Sequence, residues 1–141
     1  MSAERVGAGR GILDTSTFIF LRRLPDAGSL PDEPVITAVT LAELAVGPLV
    51  AREGDERARR QAHLQWAEAD FVSLPFDVDA ARAFGAVAAA LHGAGRKAEA
   101  RAYDAMIAAI AIANGLPIYT CNLSDFEGID RLEVVPVPVP D

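Results

Sequence analysis

The stretch "AYDAMIAAIAIANG", Ala102 to Gly115, constrains this chain more than any other. After Asp104 every side chain up to Asn114 is apolar. A helix with that composition is hydrophobic on all sides, so it belongs inside the molecule and not on its surface. Asn114 and Gly115 then supply a helix stop. Asp104 stands at the start, where an aspartate serves as an N-cap and suits the positive end of the helix dipole. A carboxylate at the mouth of a buried helix is equally where a site can begin.

A buried helix needs cover on two sides, and the rest of the chain supplies it. "GRGILDTS" is an apolar run ending on Asp14 that predicts a strand, followed by a helix across "TSTFIFLRRL". "PDAGSLPDEP" is a turn-rich loop. "VITAV" predicts a second strand, and "TLAELAVGPL" a helix opening with Thr40 and carrying Glu43 at capping-box spacing. A polar amphipathic helix over 55–68, a third strand in "FVSLP" and an alanine-rich helix over 77–91, capped by Asp77 or Asp79, come next. "HGAGRKAEA" is a loop leading into the buried helix, "PIYT" a fourth strand and "LEVVPV" a short fifth; the "VPVPVPD" tail is proline-stiffened. Strands alternating with helices predict an α/β fold, a three-layer α/β/α sandwich around a parallel sheet of four to five strands.

At 141 residues, 51% hydrophobic and 23% charged, the chain is expected to be one globular domain spanning 1–141. It lacks an apolar run of membrane-spanning length and a recognisable signal peptide, so the expected localisation is cytoplasmic, with no membrane partner. A single cysteine, Cys121, excludes an internal disulfide and a cysteine-built zinc site. The net charge of −7 argues against adhesion to nucleic acid through a broadly basic surface. Twelve of the thirteen basic residues are arginines, and several basic residues fall in small groups: Arg22 and Arg23; Arg57, Arg59 and Arg60; and Arg96, Lys97 and Arg101. A solvated helix face or loop accounts for each group as well as a binding role does.

In a parallel sheet, the C-terminal strand ends and the N-termini of the following helices share one edge, where ligands bind. Asp14, Glu43, Asp104 and Asp125 all fall at that edge. Each has a structural explanation as a cap or, for Asp125, an Asx-type turn. Together they pose an electrostatic problem: two unit charges 4 Å apart repel by about 4 kcal/mol at an effective dielectric of 20. Shared protons or a cation relieve it, and oxygen ligands without His or Cys select a hard ion, Mg²⁺ or Mn²⁺. Such an ion would hold an RNA phosphate while rim arginines, Arg22, Arg23 and Arg101, steer the rest of the strand.

"LDTSTFI" around Asp14, "TLAELAVG" around Glu43 and "RAYDAMIAAIAIANGLPIYTCNLSDF" from Arg101 to Phe126, in this order and spacing, resemble the PIN-domain ribonucleases. The likeness is strongest to the VapC-type toxins of bacterial type II toxin-antitoxin systems, and it runs from about Gly11 to Val135. The resemblance implies an endoribonuclease dependent on Mg²⁺ or Mn²⁺, whose catalytic and metal-ligating residues are Asp14, Glu43, Asp104 and Asp125. It implies that Thr120 and Asn122 orient Asp125 or the attacking water, and that Thr15 or Ser16 supports Asp14. A homodimer is implied as well, silenced by a cognate VapB-like antitoxin whose C-terminal segment lies over the cleft. The residue between Thr120 and Asn122 is often basic in the family; here it is Cys121, read as a small buried hydrophobe. The first nine residues have no counterpart and are expected to form a mobile tail.

Rival classes fit less well. "DTST" is similar to the DxDx[TV] loop of certain phosphatases, but Ser16 stands where the second aspartate belongs. A receiver domain needs a late lysine, and Lys97 lies in the wrong loop. A degenerate PIN fold that only binds RNA or protein remains the alternative. Phe18, Phe20 and Trp66 are assigned to the core by default, with Phe20 off the face shared by Phe18 and Leu21. His63 and His92 are placed away from the acidic edge.

Overall fold

The computed structural model describes residues 9–93 and 101–140. Arg96, Lys97 and nearly all of the expected mobile tail lie outside the described residues. The elements run β1 (Arg10–Leu13), α1 (Thr15–Phe20) continued by a 3₁₀ turn (Leu21–Arg23), β2 (Glu33–Thr37), α2 (Ala38–Val50) and α3 (Gly54–Asp70). They continue with β3 (Ser73–Leu74), α4 (Val78–Gly93), α5 (Ala102–Asn114), β4 (Ile118–Thr120), a 3₁₀ turn (Leu123–Phe126) and β5 (Val134–Pro136). Among the described residues no helix is long and apolar enough to cross a membrane.

The five strands form one sheet in the order β3-β2-β1-β4-β5, and every pairing is parallel. β1 lies at the centre, with Ile12 opposite Val35 on one side and Ile118 on the other. Because side chains alternate along a strand, Ile12, Val35 and Ile118 enter a core with Val87 and Leu91 of α4 and Ile107 and Ile110 of α5. Their neighbours Leu13, Ile36 and Tyr119 point the other way, toward Phe18 of α1, Leu44 of α2 and Ala67 of α3. Apolar residues on both faces of β1, β2 and β4 demand helices on both sides, hence three layers. Tyr119 lies so close to β1 that a Cβ on Gly11 would come within 2.5 Å of its ring, so β1 needs glycine there.

α5 meets its expectation in the middle: Ala105 and every residue from Ile107 to Ala111 are buried. Gly115 ends it in the left-handed conformation at φ 65°, which favours glycine. Asp77 caps α4, its Oδ1 accepting from the Ala80 amide at 3.0 Å, while Asp79 lies beyond. The boundaries of α2 differ from the reading above. β2 starts at Glu33 and stops at Thr37, so Ala38 and Val39 are helical and not in the strand. Thr37 is the N-cap, its hydroxyl accepting from the Thr40 amide at 3.2 Å. Only Thr40 has a glutamate three residues on, but β2 keeps pairing with β3 as far as Thr37, opposite Leu74, so the helix starts directly after Thr37. The capping box at Thr40 and Glu43 is therefore not formed, and Glu43 is left for other work.

Candidate active site

Each acid is delivered to the C-terminal edge by a different element. Asp14 is the residue between β1 and α1, Glu43 lies within α2, Asp104 is in the first turn of α5, and Asp125 sits in the 3₁₀ turn after β4. Asp104 is not a cap: α5 begins at Ala102, and Arg101 precedes it without a side-chain cap.

Asp14 is only 2% exposed. Its Oδ2 accepts a hydrogen bond of 2.9 Å from the Thr120 hydroxyl, while its Oδ1 has no hydrogen-bond partner among the described residues. Burial raises its pKa above the ordinary aspartate range; Thr17 and Thr120 pull it back and nearby Asp125 adds to the rise. A buried, half-satisfied carboxylate is costly, because a charged oxygen without a partner loses its hydration and gains nothing. Glu43 accepts a short hydrogen bond, 2.6 Å, from the Thr15 hydroxyl, which also lies 2.9 Å from the Thr40 hydroxyl. Its pKa is raised by burial first and by Asp14 in smaller part. The Asp104 pKa is pushed up to about 6, by burial and then by Asp125, Asp14 and Glu43, with Arg101 opposing. The four acids thus share one field.

Asp125 differs from the other three, since its carboxylate pairs directly with the Arg101 guanidinium. Arg101, expected at the rim for substrate, is turned onto an acid of the edge. Thr120, expected beside Asp125, holds Asp14 instead; Thr15, expected to support Asp14, holds Glu43. Asn122 acts through its backbone: its amide donates to Thr120 Oγ1 at 2.9 Å and its carbonyl accepts from the Asp125 amide at 3.1 Å. Its side chain accepts from Ser124. Ser16 is half-buried. Thr17, which sequence reasoning passed over, is fully buried and accepts from the Cys121 amide at 2.9 Å, tying α1 to the end of β4. Cys121 is half-buried, and burial raises its thiol pKa, which disfavours the thiolate.

Arg22 lies over Trp66, 4.0 Å from the ring centroid, and Arg23 over Phe20 at 5.0 Å. Phe18 is fully buried among Trp66 and Phe71, with centroids 5.0 and 5.1 Å away, whereas Phe20 and Trp66 are only half-buried and serve as platforms for these arginines. His63 departs from expectation: it lines the same hollow as Thr15 and Glu43. Sequence spacing gives no hint of this, because α3 reaches the edge only by folding back along α2. His92 is exposed near the end of α4.

The donor set suits a hard cation. It is all oxygen, it includes a buried carboxylate oxygen lacking a partner, and its charges raise one another's proton affinity. Among the described residues, no three Asp, Glu, His or Cys side chains stand close enough to enclose an ion by themselves. Mg²⁺ requires no such cage, since it keeps several waters and takes one or two carboxylates directly.

Comparison with known proteins places this geometry. The PIN domain family model matches residues 12–132. Ribonuclease VapC5 of Mycobacterium tuberculosis is 43% identical over 122 residues, spanning 85% of this chain and 87% of that protein. Ribonuclease VapC of Rickettsia bellii is 31% identical over 133 residues, 92% of this chain and 98% of that protein. The crystal structure of VapBC-5 from Mycobacterium tuberculosis, a member of the VapBC family of toxin-antitoxin systems, superposes with a TM-score of 0.79 at 40% identity, covering 92% of this chain and 99% of that one. A buried acid edge on a five-stranded parallel sheet, a family match over nearly the whole chain and relatives at this identity agree: the chain belongs to the PIN domain family, among its VapC-type members.

Proposed function

We propose that the protein is a Mg²⁺- or Mn²⁺-dependent endoribonuclease that hydrolyses RNA phosphodiester bonds and acts as the toxin of a toxin-antitoxin pair. The observation that carries this is Asp14, buried to 2% exposure with one carboxylate oxygen unpartnered, at an edge where Asp104 titrates near 6. An arrangement that costs folding energy in the free protein is what a site for a cation and a phosphate requires. The relatives named as VapC ribonucleases and the VapBC-5 structure support the same activity and a VapB-like antitoxin partner. The homodimer that the family resemblance implies is retained as part of the proposal.

Of Asp14, Glu43 and Asp104, one or two would hold the ion directly and the rest through its waters, and Asp125 with its Arg101 partner would complete the edge. When bound, the cation supplies neutralisation of the charge that grows on the phosphate oxygens and lowers the pKa of water. Thr120 and Thr15 fix Asp14 and Glu43 in position. Asp104 and Glu43, whose proton affinities are raised, are the groups suited to accept the proton of the attacking water.

The test is cleavage of a single-stranded RNA by the purified chain with Mn²⁺, with EDTA, and for Asp14→Asn, alongside calorimetric titration with Mn²⁺. Mn²⁺-dependent cutting that Asp14→Asn abolishes is expected. Tight RNA binding with neither Mn²⁺ affinity nor cutting would replace the proposal with a binding module of the same fold.

A further inference from the structure

α3 carries three arginines within one turn, and the structure separates them. Arg57 donates to the carbonyls of Pro48 and Ala51, at 3.2 Å each, and Arg60 donates to the Gly47 carbonyl and to Glu56, both at 2.9 Å. These two are committed to holding α3 against the end of α2. Arg59 is exposed, and its guanidinium makes no hydrogen bond or ion pair among the described residues.

Arg59 also lines two adjoining hollows. The larger, about 470 Å³, has Thr15 and Glu43 of the acidic edge in its wall together with Arg59 and His63. The smaller, about 170 Å³, shares Arg59 and His63 and adds Arg22 and Trp66. The larger volume falls within the roughly 300–1,000 Å³ of small-ligand sites. His63 lies four residues after Arg59, on the same helix face. Its Nδ1 is 3.1 Å from the Arg59 carbonyl. A carbonyl only accepts, so Nδ1 carries the hydrogen and Nε2 is left for another partner. Arg22 is stacked on Trp66, which restricts the guanidinium while leaving the N–H groups at its edge able to donate.

We propose that the two hollows form one binding track for single-stranded RNA that leaves the acidic edge along α3. The larger hollow takes the nucleotide beside the scissile bond, Arg59 takes the adjoining phosphate, and Arg22 takes the next. This rests on the nuclease reading and names its substrate-holding residues. An acidic chain must hold a polyanion with a few local cations. Arg59 is a cation without an acidic partner at the mouth of the edge, and Arg22 continues the line.

The experiment measures anisotropy of a labelled single-stranded RNA decamer in the Asp14→Asn background, which keeps the RNA whole, for the parent, Arg59→Gln, Arg22→Gln and the double variant. Arg59→Gln is expected to weaken binding about fivefold to tenfold and to lower the salt slope by about 0.7, the value for one phosphate contact on a single strand. The double variant is expected to lower the slope by about twice that amount. Melting temperature should not move, nor should Mn²⁺ affinity when the arginine variants are made in the otherwise wild-type chain, since neither guanidinium touches the acids. Arg59→Gln with the parent affinity and slope overturns the proposal, as it would if the hollows received a protein segment. If the wild-type chain still cuts RNA with Mn²⁺ in that case, the nuclease reading stands and only the track falls. A wild type that binds RNA through Arg59 but never cuts it, with or without metal, leaves the track and removes the nuclease. A parent that binds no RNA removes both.

Discussion

The α2–α3 junction and the acidic edge both concentrate charge, and they handle it in opposite ways. At the junction, the last turn of α2 presents carbonyls without helical partners, and Pro48 sits within that turn. Arg57 and Arg60 reach across and satisfy Gly47, Pro48 and Ala51, with Glu56 neutralising Arg60. Gly47 allows the approach, since a Cβ there would stand 3.1 Å from Arg60 Cδ. At the acidic edge, among the described residues, Asp14 keeps an unpartnered oxygen, Glu43 and Asp104 have no cationic partner in direct contact, and of the four acids only Asp125 is in an ion pair. The junction is organised for stability, whereas the edge holds unresolved repulsion that a ligand can relieve.

Substitutions should therefore separate the two regions. The largest effect expected is on activity: Asp14→Asn should reduce RNA cleavage about 100-fold or more, the scale for losing a group that acts on transition-state charge. Its urea midpoint should be equal to or above that of the wild type. A destabilised Asp14→Asn protein would break the contrast. Next, Arg60→Met should cost about 2 kcal/mol in urea unfolding, because a charged hydrogen bond is lost and a helix-end carbonyl is exposed. Its cleavage rate per folded molecule should fall far less than that of Asp14→Asn, since Arg60 touches none of the four acids of the edge. Third, Thr15→Val should lower activity about tenfold by releasing Glu43, the lower end of the range for losing a group that orients a ligand, with a small change in melting temperature.

The smallest effect is a pH dependence. Asp104 has a folded pKa of about 6, above its unfolded value of 3.8. The folded state then binds the proton more tightly, so this group's stabilisation is fully present below pH 3.8 and is lost as pH rises through 6. Discounted for solvent screening at a partly exposed carboxyl, the loss is about 1 kcal/mol. Metal-free urea curves from pH 4 to 7.5 should show it as a gap between wild type and Asp104→Asn that widens with pH in favour of the variant. A gap that is constant with pH would mean that Asp104 is not part of the shared field.

The sequence exposes the acids because each follows a local signal: a strand end, a helix start, a turn. The all-apolar run of α5 likewise forces burial on any fold. What supports the acids is less visible. Thr120 holds Asp14 and not Asp125 because β4 pairs with β1, and pairing between strands so distant in the chain leaves no periodic trace. Thr15 reaches Glu43 across the α1–α2 contact for the same reason. The capping box at Thr40 failed as a reading because its spacing to Glu43 is local, while the helix start is set by where β2 ends, at Thr37. His63 and Arg59 join the edge through the path of α3, which is set by the arginine clamp on α2. Arg57, Arg59 and Arg60 look alike in sequence, and only their partners separate two structural residues from one available for a ligand.

Gly11 and Asp14 lie three positions apart on the central strand and its exit. Any screen that selects for lost activity should recover changes at both, for unrelated reasons. A methyl group at Gly11 collides with the Tyr119 ring and reduces how much intact protein accumulates. A neutral amide at Asp14 leaves abundance untouched and silences each molecule. Measuring protein level beside phenotype is thus enough to sort the two classes of inactive variant in this short segment.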